Sequence, residues 1–85
     1  MLEHTTVENP VMGRPYVIVR TDTARFMVTV VEHCRSLRDA KQAVEEMTVK
    51  GSSVINHIVS SLELELFLKG ARQVMAEIMV EEMLS

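Results

Sequence analysis

The chain has one cysteine and no tryptophan, and only two prolines, three glycines, two phenylalanines and one tyrosine among 85 residues. A single cysteine, Cys34, excludes an intrachain disulfide and fits a reducing compartment. Gly13, Gly51 and Gly70 stand isolated, so the sequence has no glycine-rich loop of the kind that cradles phosphates. Charged residues interrupt every apolar run before it reaches the ~20 residues needed to cross a bilayer. The N-terminus lacks the basic region followed by an apolar stretch that marks a signal peptide, so no membrane partner is expected and the expected location is the cytoplasm. A basic excess is missing as well. Nine Lys and Arg against twelve Asp and Glu give a formal charge of −3, which argues against generic nucleic-acid affinity. Residues 52–85 hold the whole deficit, with two positive and five negative side chains.

Residue types that carry chemistry are equally sparse. His4, His33, His57 and Cys34 match no metal-ligand spacing, and no metal site is expected. His33 and Cys34 are neighbours in sequence and would point in different directions on a helix, which places them poorly as a base and nucleophile pair. Glu63 and Glu65 lack a supporting histidine, glycine loop or third group for general acid and base work. The sequence therefore predicts a protein that is not an enzyme, with no catalytic residues and no cofactor.

What the chain does have is aliphatic material. Hydrophobic residues make up 47%, supplied by Val, Leu, Ile and seven Met, with aromatics at 4%. A domain of this length buries roughly 60–65% of the surface its unfolded chain exposes, a thin core for independent stability. Plentiful aliphatic side chains in so short a chain predict self-association.

The densest stretch is 52–84. Val54, Ile55, Ile58, Val59, Leu62 and Leu66 recur at spacings of three and four and predict one helical stripe. Leu64, Phe67, Leu68, Ala71, Val74, Met75, Ile78 and Met79 predict a second stripe on nearly the opposite side. Three arrangements fit this changeover: one continuous helix covered on both sides, a helix broken near Gly70, or a strand across Leu62–Leu68. The first is preferred. Ile55, Ile58, Leu62, Leu64, Leu66, Phe67 and Leu68 are the expected oligomer core. Leu66→Glu, between both stripes, is expected to disrupt assembly or folding.

Upstream, residues 1–15 lack steady periodicity and predict an irregular arm. Tyr16–Arg20 is entered from Pro15 and predicts a short strand. Residues 25–31 allow two readings. A four-residue link would make them the second strand of a hairpin, whereas an N-cap at Thr21 or Asp22 would start a helix running to about Thr48. The absence of glycine or asparagine in the link favours the helix. From Arg35 to Met47 the composition is helical. Lys50–Ser53 is the clearest boundary, with Gly51 suited to a left-handed position and Ser52 or Ser53 to an N-cap. The fold expected is thus mainly α (α+β): an arm over 1–15, then a single oligomerising domain over 16–85 with one short strand and long amphipathic helices joined at Lys50–Ser53.

Two functions suit that outline. The first is a small homo-oligomeric protein-protein interaction module, acting as regulator, adaptor, inhibitor or assembly component. It would contact itself and another protein through Tyr16, Ile18 and Arg20 on a strand face and Met75, Met79 and Met83 on the terminal helix, since methionine makes adaptable contact surfaces. The second follows from the order strand, helix, Gly51-Ser52-Ser53-Val54 turn, helix. That order is similar to the one in ribbon-helix-helix repressors. The resemblance implies a dimeric DNA-binding regulator whose paired strands present Tyr16, Ile18 and Arg20, or Arg25, Met27 and Thr29, to the major groove. Both sets are less polar than base reading by Arg, Lys, Asn and Gln calls for.

Overall fold

The computed structural model describes residues 12–85 as a three-stranded antiparallel sheet with one helix on each face. The central strand β1 (Tyr16–Asp22) pairs with β2 (Met27–Cys34) on one side and β3 (Val54–Ser60) on the other. Helix α1 (Leu37–Met47) carries the chain from β2 over β1 to β3, and α2 (Leu64–Leu84) follows β3. The predicted arm lies outside the described residues over 1–11.

This α+β fold overturns the expected run of long amphipathic helices. Residues 27–34 form a strand, so the hairpin reading of 25–31 holds and the helix from residue 22 does not. Its turn works without glycine or asparagine because Asp22 supplies the geometry. The Asp22 Oδ1 accepts from the backbone N–H of Ala24 at 3.0 Å and of Arg25 at 3.3 Å, and from the Ser53 hydroxyl at 3.0 Å. Phe26 closes the turn in the left-handed region, φ 56°. Burial alone would raise the Asp22 carboxyl, but these bonds and nearby Arg25 hold it below its ordinary value.

Residues 54–60 are likewise a strand, not the start of a helix. Val54, Ile55, Ile58 and Val59 mimic helical spacing because the sheet is covered on both faces, which makes both sides of the strand apolar. Among the described residues only α2 is a long helix, and it runs unbroken through Gly70, whose φ is not left-handed. The apparent change of stripe near Leu62–Leu68 is therefore the passage from strand to turn to helix. Nothing lies within 4 Å of a Cβ built on Gly70. Gly70→Ala is expected to raise stability by about 0.5–1 kcal/mol in urea unfolding, through helix propensity and the smaller entropy of the unfolded chain.

Two cores result. On one face of the sheet Val17, Val19 and Val59 pack with Leu64 and Leu68 of α2. On the other, Ile18 and Cys34 pack with Ala40 of α1, joined by Val44, Met47 and Ile58. Helix α1 is capped at both ends. The Ser36 hydroxyl accepts from the Asp39 N–H at 3.0 Å, and the Thr48 hydroxyl donates to the Val44 carbonyl at 2.6 Å. Gly51 does take the left-handed conformation expected of it, φ 77°, in the loop beyond that cap. Leu64 and Leu68 are each 1% exposed, so they belong to the protomer's own core.

Candidate interaction surface

A helix of 21 residues is ~31 Å long, whereas a seven-residue strand spans ~23 Å. Helix α2 therefore outruns the sheet beneath it. Its inward positions are Leu64, Leu68 and Met75, spaced four and seven apart, and everything from Met79 onward is exposed. The helix also sits toward β2, whose Val28 and Val30 join its core cluster. That offset leaves the same face of β3 only partly covered, and Ile55 is 54% exposed.

The uncovered strip is a groove of about 500 Å³ between β3 and α2. Ile55 and His57 lie on its β3 side, and Leu66, Phe67, Val74 and Ile78 on its α2 side. No charged side chain lines it. The His57 ring meets the Thr21 hydroxyl at 2.9 Å from Nε2 and lies tilted against Phe67, with centroids 5.2 Å apart. Burial holds the imidazole below its ordinary pKa, which favours the neutral ring.

Beside the groove runs the outer edge of β3. The direction of its peptide groups follows from the ladder with β1. Thr23 N–H donates to Ser53 O at 3.3 Å, and Ser61 N–H donates to Pro15 O at 2.7 Å. Both pairs continue the register that sets Val19 opposite His57. Because bonded and non-bonded pairs alternate along an antiparallel ladder, Ile55, His57 and Val59 turn their peptide groups toward β1. Val54, Asn56, Ile58 and Ser60 turn theirs outward. Ser52 Oγ accepts the Val54 N–H at 3.1 Å. Among the described residues no strand pairs with the rest of this edge.

The opposite edge of the sheet is differently made. Strand β2 contains a bulge where the register shifts between Ile18 and Val19, and it carries Glu32. Bulges and charges of this kind discourage strand addition. The β3 sequence, VINHIVS, has neither proline nor a formally charged residue.

The residues expected from sequence divide sharply. Ile18 is 0% and Met75 6% exposed, so both serve the protomer's interior and offer no surface to a partner. Tyr16 is half-buried against the α1 core. Arg20 is half-buried too, with Nε donating to Asn56 Oδ1 at 3.0 Å and a nitrogen 3.7 Å from the Met47 sulfur. Met79 and Met83 are exposed on the projecting end of α2. Of the expected oligomer core, Leu64 and Leu68 are internal, Ile58 and Phe67 are half-buried, and Ile55, Leu62 and Leu66 are exposed. Leu66 is 74% exposed, so it does not sit between two covered stripes. The edge residues Asn56 and His57 are not among the contacts expected from sequence. The signal for them was the uncharged, β-branched run around them.

Strand β1 has neighbours on both sides, so it is not the free ribbon that the ribbon-helix-helix resemblance requires. Cys34 is buried, and burial with Glu32 close by pushes its thiol up. No cluster of metal-ligating side chains occurs among the described residues, and no described helix is long and apolar enough to cross a membrane. No family model, curated protein or solved structure matches the chain.

Proposed function

We propose that this chain is a small, non-catalytic protein-protein interaction module that acts in the cytoplasm as a homo-oligomer. The observation that carries this reading is the uncharged groove between β3 and α2, set beside a strand edge that no other described strand covers. Exposed apolar side chains scattered singly are ordinary on a protein surface; a continuous apolar strip beside unpaired backbone is a contact surface. The groove offers a binding polypeptide both backbone bonds and apolar contact, the combination used in strand addition. Regulator, adaptor, inhibitor and assembly component are all roles open to such a module.

Sedimentation at micromolar concentration tests the self-association directly. The full chain is expected to run well above the 9.6 kDa of one copy. A species that stays at 9.6 kDa as concentration rises would count against the reading.

A further inference from the structure

We propose that the occupant of the β3 edge is β3 of a second copy, paired antiparallel about a two-fold axis through His57. This rests on the interaction-module reading above and specifies its partner and geometry.

The register follows from the outward groups. An antiparallel ladder forms hydrogen-bonded pairs only between residues that both turn their peptide groups across the seam. Centring on His57 sets Asn56 opposite Ile58 of the second copy and Val54 opposite Ser60, all of them outward-facing. Ile55 then falls opposite Val59, and His57 opposite itself, as non-bonded pairs with adjacent side chains. The whole strand Val54–Ser60 is used, with the Val54 N–H exchanging Ser52 Oγ for the ladder, and no charged side chain meets its like.

A second copy also suits the groove better than a charged partner would. Two-fold symmetry presents the same patch from both sides, so an uncharged, apolar strip meets one of its own kind. The pairing joins two three-stranded sheets into one and turns the two grooves toward each other over a shared floor of Ile55 and His57. Leu66 and Val74, 74% and 49% exposed, approach their counterparts from either side. The bulged edge of β2, with Glu32, cannot offer a comparable match.

A disulfide trap reads the register. In a Cys34→Ala background, His57→Cys places two thiols opposite each other at a non-bonded pair, where Cβ separations suit a disulfide. Mild oxidation should link nearly all of it as a dimer. Ile55→Cys lies on the same face but far from its symmetry mate and should link at least tenfold more slowly. Equal or faster linking at Ile55 would overturn the register. Asn56→Pro provides the second arm, because it removes an outward N–H and no backbone bond to β1, the loss on that side being the side-chain bond from Arg20 Nε. It should shift the sedimenting species to 9.6 kDa while circular dichroism stays that of the wild type. An oligomer indifferent to Asn56→Pro and unlinked at His57→Cys would sink this pairing and leave the module reading intact. A wild-type chain that never associates, or whose edge is taken only by a foreign polypeptide, would overturn the pairing too.

Discussion

Replacing Leu68 by alanine is expected to cost about 2–5 kcal/mol, the range for removing a leucine from a closed core. Leu68 is 1% exposed and lies in the cluster that holds α2 to the sheet with Val17, Val19, Val59 and Leu64. Its loss opens a void between α2 and the sheet. The surrounding side chains are β-branched strand residues held by the ladder, so they have little freedom to collapse into the space. Small domains hold a total of about 5–15 kcal/mol, so the substitution removes a large part of the margin. Urea unfolding at fixed protein concentration measures it. A change below ~1 kcal/mol would mean that α2 is not seated as described.

The second large effect concerns association and leaves the fold standing. Leu66→Glu with Val74→Glu puts two carboxylates on the groove side of α2, where both native side chains are substantially exposed. In a free protomer the carboxylates are solvated, and stability should stay within ~0.5 kcal/mol of wild type for each substitution. In the dimer they enter an uncharged strip, opposite the same two carboxylates of the other copy. Burying unpaired charge costs several kcal/mol, and each 1.4 kcal/mol is a factor of ten in affinity, so association should weaken by at least ~100-fold. Sedimentation across concentration measures the shift. An unchanged dissociation constant would take the groove out of the interface. Two leucines two positions apart thus have opposite consequences: Leu68 supports the fold and Leu66 supports the contact.

How far the sequence disclosed this arrangement depends on the segment. Strand β1 is legible because Pro15 introduces a run of β-branched residues, and α1 because the composition from Arg35 to Met47 is helical, to which the structure adds the Ser36 cap. Strand β3 resembles a helix in sequence for a physical reason. A strand with apolar residues on both faces loses the alternation that identifies strands, and four apolar residues in VINHIVS then fall by accident at helical intervals. Its β-branched content was the better guide. The hairpin lacks the usual turn signal because Asp22 performs through its side chain what glycine or asparagine performs through backbone freedom. A single helix over 52–84 merges two different leucine environments, grouping buried Leu64 and Leu68 with exposed Leu62 and Leu66. The expectation of surplus apolar surface corresponds to a definite feature, the incompletely covered β3 face, but that feature was assigned to the wrong elements.

Hydrogen exchange at single residues of β3 tests the central claim most directly, because the inner and outer amides of one strand serve as mutual controls. His57 and Val59 face β1 and should be protected in any folded protomer. The account predicts that the Asn56 and Ile58 amides are protected nearly as well in concentrated solution and lose that protection on dilution. Outer amides that exchange freely at every concentration, while the inner ones stay slow, would show an uncovered edge and contradict it.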